Sequence, residues 1–214
     1  MRRDELRRWL EEKKRPLVLD GAMGSLLAER GWEPPELPEE VHMRNPEILE
    51  AIHKEYLLAG ADILETNSFG GSPLKLDCRG LGDRAFEMNR RAAAIARKVA
   101  GDRALVAGSV GPLGESLAPL GNLSFGEARR AFREQIRGLL AGGADFLLIE
   151  TMLDMKEAKA AVLGLKDCNP QAAFVVSFTF DTRGATVTGV TPEAAGVWAE
   201  YIGAAGVGAN CGVG

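Results

Sequence analysis

From Leu17 onward, short runs of consecutive apolar residues alternate with longer stretches whose apolar positions recur every three or four residues. The longer spacing marks amphipathic helices, and brief unbroken apolar runs mark strands buried on both faces. The runs predict strands at Leu17–Asp20, Ile63–Thr66, Leu105–Ser109, Phe146–Thr151, Phe174–Thr179 and Val207–Asn210, starting roughly 30 to 45 residues apart. Between them the spacing predicts helices at Pro46–Leu58, Asp83–Ala100, Phe125–Ala141, Met155–Lys166 and Pro192–Gly203. Boundary signals agree. Asn45-Pro46 and Thr191-Pro192 set a capping side chain before a proline at the first helical position, Ser124 precedes Glu127 in capping-box spacing, and Gly60, Gly101 and Gly143 close helices. A further amphipathic stretch, Glu5–Lys14, precedes the first strand and is expected at the bottom of a barrel or on its side, its Arg and Lys face in solvent.

Strands alternating with helices make an α/β fold with a parallel sheet. Gly60-Ala61-Asp62 and Gly143-Ala144-Asp145 recur immediately before an apolar strand, and Gly206-Val207 echoes them. The recurrence favours a TIM-type (β/α)8 barrel over a doubly wound sheet, which periodicity alone leaves open. Six units are visible, where such a barrel has eight strands and typically about 250 residues. The expectation is therefore one domain over residues 1–214, with an N-terminal helical segment at 1–16 and units one to six at 17–214, truncated after the sixth strand with the final two units absent. The first and sixth strands would then present open edges, inviting another chain or a second copy to pair with them.

Composition narrows the function. With 46% hydrophobic and 26% charged residues the chain is a folded globular domain. Its 26 Lys and Arg against 30 Asp and Glu leave a net charge of −4, which offers no basic footprint for nucleic acid. No apolar run approaches the ~18 residues of a membrane span, and Met1-Arg2-Arg3-Asp4-Glu5-Leu6 lacks the apolar core of a secretion signal. Cys78, Cys168 and Cys211 are odd in number and scattered, which argues against a disulfide framework and for a reducing, cytoplasmic setting.

Parallel barrels gather their chemistry at the C-terminal ends of the strands. Here those ends read Asp20-Gly21-Ala22-Met23-Gly24-Ser25, Glu65-Thr66-Asn67-Ser68-Phe69-Gly70, Ser109-Val110-Gly111-Pro112, Glu150-Thr151, Ser177-Phe178-Thr179 and Asn210-Cys211-Gly212. Carboxylates on one rim of an apolar barrel need partners. A ligand ammonium is one; backbone N–H groups of neighbouring loops are the other. Both readings stand for Glu65, and the ligand reading is favoured for Asp20 and Glu150. The glycines after Asp20 let backbone amides approach a carboxylate or phosphate.

These motifs, together with Ala59-Gly60-Ala61-Asp62-Ile63-Leu64 before Glu65, Gly143–Asp145, Asp154 and Lys156 after Glu150-Thr151, and Gly208-Ala209 before Asn210-Cys211, resemble the homocysteine S-methyltransferase family. Within it they look most like the homocysteine-binding barrel of cobalamin-dependent methionine synthases, from Leu17 to the end. The resemblance implies methyl transfer to the thiol of homocysteine to form methionine, with a zinc ion held by three cysteine thiolates also binding the substrate sulfur. Coordination to zinc deprotonates a thiol and so prepares the nucleophile. The family's first thiolate follows the sixth strand in an Asn-Cys motif, which makes Cys211 the metal ligand and catalytic residue. By the same mapping Asp20 and Glu150 hold the substrate amino group, backbone amides around Met23, Gly24 and Ser25 hold its carboxylate, and Thr66 and Asn67 line the pocket. The family commonly has Thr where Ser25 stands, a change that a backbone contact survives. The motif wording points to methylcobalamin and methyltetrahydrofolate presented by separate modules, with S-methylmethionine or another small donor as the alternative.

The family's remaining two thiolates form an adjacent Cys-Cys pair beyond the Asn-Cys motif, which this sequence does not contain. Cys168, expected at the opposite end of the barrel, and Cys78 both read as structural, so one thiolate remains where catalytic zinc normally has three protein ligands. His42, in a Pro-rich acidic connection, and His53, in a helix, read as solvent-exposed and supply no other metal site. The terminal glycines, Gly208, Gly212 and Gly214, do not match dinucleotide-loop spacing. Two other readings compete: a non-catalytic barrel fragment that binds an amino acid or pairs with another chain, and a barrel enzyme acting on a phosphorylated or carboxylated metabolite through the glycines of strands one and three.

Overall fold

A computed structural model describes residues 1–212, leaving Gly214 of the terminal glycine run outside it. Four helices, α1 (Arg3–Glu12), α2 (Met23–Glu29), α3 (Pro38–Arg44) and α4 (Pro46–Leu58), precede β1 (Ile63–Glu65). Then follow α5 (Pro73–Leu76), α6 (Ala85–Ala100), β2 (Leu105–Val110), α7 (Phe125–Ala141), β3 (Phe146–Met152), α8 (Met155–Cys168), β4 (Phe174–Phe178), α9 (Pro192–Ile202) and β5 (Gly206–Ala209). The strands pair in parallel in the order β1-β2-β3-β4-β5, each beside its sequence neighbour, with Ile63 opposite Leu105, Ala107 opposite Phe146, Leu147 opposite Phe174 and Val175 opposite Gly206. This is the succession of staves in a (β/α) barrel rather than the reversed order of a doubly wound sheet.

The predicted first strand is not a full strand. Leu17–Asp20 meets β1 through a single bridge, Leu19 to Ile63, with backbone bonds from Asp62 N–H to Val18 O and from Asp20 N–H to Ile63 O. Pro16 has no N–H to extend the ladder, and the chain turns away at Gly21. The structure also contains α2 and α3, which the sequence pattern missed because each spans only seven residues in a segment punctuated by glycine and proline.

Caps fix most helix starts where the sequence placed them. Ser124 Oγ accepts the Glu127 N–H while Glu127 accepts the Ser124 N–H, and Thr191 Oγ1 accepts the Ala194 N–H. Asn45 makes no such bond, so α4 starts on its proline alone. A 3₁₀ turn at Gly82–Arg84 delays α6 to Ala85. Helix α1 closes the N-terminal end of the sheet: Leu6 is buried among Ile63, Phe146, Ala173 and Ala205, which lie at or just before the starts of the strands, while Arg3 and Arg7 reach the Ala204 and Ala205 carbonyls and Glu200. The opposite end is left for chemistry. No helix among the described residues is long and apolar enough to cross a membrane.

The covering helices touch through glycine. A Cβ on Gly138 of α7 would fall 2.6 Å from Phe86 O and 2.9 Å from Asn89 Cβ of α6, whereas one on Gly126, in the exposed first turn, would meet nothing nearer than 3.5 Å. Gly138→Val is expected to lower stability by about 2 kcal/mol or more through overpacking, and Gly126→Ala to leave it unchanged or raise it by up to about 1 kcal/mol; urea denaturation of both variants measures the contrast.

Candidate functional site

At the C-terminal ends of the strands lies a cleft of about 740 Å³. It collects Asp20, Met23 and Gly24, Thr66 and Asn67 from the loop after β1, Glu150 from β3, and Cys211. Ser25, one residue further along α2, is exposed and outside the lining, because the helix carries it away from the turn. Glu65, Ser109, Glu39, Lys75 and Cys78 also face the cleft.

Glu150 is the most firmly oriented acid. Ser109 Oγ donates to its Oε1 at 2.6 Å, and Asn210 Nδ2 donates to its Oε2 at 2.8 Å. Asn210 also gives Nδ2 to Thr151 Oγ1, and its Oδ1 accepts Thr151 N–H and Ser177 Oγ–H, so one amide ties β3, β4 and the end of β5 together. The register of β3 shifts between Ile149 and Met152, and Thr151 sits at φ 59°. Cys211 sits at φ 53°, its Sγ 3.7 Å from Thr151 Oγ1. Left-handed backbone at two non-glycine residues, one of them β-branched, stores strain of a kind that clusters at functional sites.

Thr66 is engaged elsewhere. Its Oγ1 accepts the Ser109 N–H and hydrogen-bonds Ser68 Oγ, which in turn donates to Ser109 O, closing a ring that locks the ends of β1 and β2 together. Gln135 of α7, fully buried, donates to Ser68 O from behind. Asn67 gives its amide to Pro38 O at 2.7 Å and approaches His42 Nδ1 at 3.4 Å. His42 Nε2 lies 3.0 Å from Met88 O, and with Nε2–H donating there, Nδ1 is the acceptor for Asn67.

Both histidines correct the expectation of exposure: each is 0% exposed. His42 is carried inward by the unforeseen α3, and burial pulls its pKa down to about 4. His53 belongs to the inward stripe of α4 with Leu49, Ile52 and Tyr56, a three- and four-residue spacing readable from the sequence.

The acids share a dry environment. Burial pushes the Asp20 carboxyl up, against the pull of His53 and the Glu65 N–H. Burial, then Glu150, then Asp20 hold the Glu65 carboxyl well above the usual carboxylate range. Glu39, from α3, accepts the Gly70 N–H at 2.5 Å and is likewise raised by burial. The basic residue at the cleft, Lys75, lies 5.0 Å over the Phe69 ring and has no carboxylate partner among the described residues. A ligand bearing an ammonium would find several carboxyl groups here.

Zinc is the metal the family resemblance implies, and the donor set tests it. Among the described residues no group of three His, Cys, Asp or Glu side chains is placed to hold a metal ion. Cys211 is an exposed free thiol. Cys78, read as structural, is also exposed and lines the cleft, while Cys168 lies away from it with Sγ 3.4 Å from Arg133 O. Residues 1–212 alone therefore do not fit a three-thiolate zinc.

The family model for homocysteine S-methyltransferase matches residues 17–213. Methionine synthases from Mycobacterium leprae and Mycobacterium tuberculosis are 36% and 35% identical to the chain over 218 residues, covering 94% of it. The chain spans 18% of the length of these curated relatives. The homocysteine methyltransferase MmuM from Escherichia coli, in its metallated form, has a TM-score of 0.82 at 28% identity over 96% of this chain and 77% of that one. Its oxidised form gives 0.83 at 28% identity, over 95% and 76%. A match that runs from the first β segment through the Asn-Cys motif, and that extends to the arrangement of the staves, makes this chain a member of the homocysteine S-methyltransferase family.

Proposed function

We propose that the cleft binds homocysteine and presents its sulfur for methylation, yielding methionine. The observation that carries this reading is the convergence of Asp20, Glu150 and Cys211 on one cavity at the strand ends. The substrate ammonium lies against Asp20 and Glu150, the backbone amides around Met23, Gly24 and Ser25 take its carboxylate, and Asn67 and the Thr66 loop form the wall. The sulfur then points toward Cys211. In the reaction the methyl group leaves its donor for the sulfur and the thiol proton is lost to solvent. Cys211 would offer a metal ion one thiolate at the cleft, and a metal held there would supply activation of the substrate thiol. The methyl group comes from methylcobalamin, charged by methyltetrahydrofolate, on separate modules, or from a small donor such as S-methylmethionine. Three free cysteines fit a cytoplasmic, reducing setting.

The test offers the protein L-homocysteine with methylcobalamin, and separately with S-methylmethionine, and follows methionine. Product with either donor supports the reading and names the donor class. The absence of both methionine formation and homocysteine binding contradicts it.

A second reading rests on the sheet edges. Val18 and Leu19 beside β1, Val207 on β5, and Val197 and Tyr201 on α9 are exposed, Tyr201 to 87%. Unpaired edges with apolar residues recruit further β-structure or a second copy, so a fragment that binds the amino acid and pairs with another chain would sediment as a complex. A monomer that methylates homocysteine contradicts this second reading.

A further inference from the structure

Asp20 is held on one side only. Its Oδ1 accepts the Glu65 N–H at 2.7 Å, while its buried Oδ2 has no hydrogen-bond partner among the described residues. His53 Nδ1 faces that oxygen at 3.6 Å, with the two side chains 0% and 1% exposed, and neither ring nitrogen has a partner among the described residues. The separation is too long for a hydrogen bond. Unsatisfied polar atoms in a dry interior are nonetheless unfavourable, and a small closing movement satisfies two of these three at once.

Helix α4 is built to brace this turn. Leu49, Ile52, His53 and Tyr56 form its inward face, and a Cβ at Gly21 would lie 3.0 Å from Tyr56 Oη, so the residue after Asp20 rests directly on the helix. The imidazole therefore reaches Asp20 from a helix, and His53 is not among the residues that line the cleft. A carboxylate accepts about four hydrogen bonds. With the Glu65 N–H and a His53 N–H taking two, the plane of the Asp20 carboxyl is fixed at a residue that lines the cleft.

We propose that His53 is a positioning residue for substrate recognition: its imidazole donates Nδ1–H to Asp20 Oδ2 and aims the carboxylate at the ligand ammonium. This rests on the homocysteine reading above and adds a residue to it.

Two measurements decide the matter. Nitrogen-15 NMR of the protein reports the His53 tautomer without any substrate; Nδ1–H is expected, and an Nε2–H tautomer overturns the proposal. Steady-state kinetics then compares His53→Asn, whose amide nitrogen stands near the position of Nδ1, with His53→Leu, which packs but cannot donate. The homocysteine KM is expected to rise about tenfold or more in the Leu variant and to stay near the wild-type value in the Asn variant, with kcat little changed in both. A packing role predicts the reverse order, and Leu at wild-type KM, or Asn as impaired as Leu, overturns the proposal. A wild type that neither binds nor methylates homocysteine removes the substrate reading, while the tautomer still decides whether His53 donates to Asp20.

Discussion

Glu150→Gln is expected to raise the homocysteine KM by about 30-fold or more, the lower end of the loss when one partner of a buried charge pair is removed, while Glu65→Gln changes it little. The two carboxyls both line the cleft, yet their surroundings differ. Burial, Glu150 and Asp20 all push the Glu65 proton affinity up, which favours its neutral form, the form that Gln reproduces. Glu150 is surrounded by donors, from Ser109 Oγ and Asn210 Nδ2, the pattern of a side chain that only accepts. Equal damage from the two substitutions would show that both carboxylates face the ammonium in charged form.

The second large effect is acid lability centred on His42. Its imidazole is buried, its pKa lowered from 6.5 to about 4 by that burial. An unfolded chain takes up this proton near pH 6.5 and the folded chain does not. The stabilisation is therefore complete above pH 6.5 and disappears as pH falls through about 4, amounting to about 3 kcal/mol. Asp20, Glu39, Glu65 and Glu157 act in the opposite sense: their raised pKa values favour the fold at low pH and weaken it as pH rises through the folded values. The His42 part is isolated by His42→Gln, which keeps a donor toward Met88 O. The stability difference between wild type and variant should shrink by about 3 kcal/mol between pH 7 and pH 4 in denaturant titrations, and a pH-independent difference would contradict the assignment.

Much of the architecture was legible because it is local. The Ser124–Glu127 box, the Thr191 cap and the period of α7 and α8 write themselves into neighbouring residues. Strand starts such as Phe146 and Phe174 follow from unbroken apolar runs. Leu17–Asp20 misled because an apolar run states burial, not ladder length, and α2 and α3 are too short for their period to emerge. The rim residues Asp20, Thr66, Asn67, Glu150 and Cys211 were found by reading strand ends. Glu39 was not, since it comes from α3, and nothing near it in the sequence points to the Gly70 N–H that it accepts. Asn210 lay in a noticed motif, but its grip on Glu150, Thr151 and Ser177 depends on pairing between distant strands. The burial of His53 is written in its spacing with Leu49, Ile52 and Tyr56 on α4, whereas its polar side chain taken alone points to solvent.

Calorimetric titration with L-homocysteine and with 4-mercaptobutanoate, which keeps the thiol, the chain and the carboxylate but lacks the amino group, addresses the acidic cleft most directly. Homocysteine should bind at least about 30-fold more tightly, since the proposed contact of its ammonium with Asp20 and Glu150 is one its analogue cannot make. Equal affinity for the two would show that the carboxyl cluster at the strand ends does not recognise the amino acid.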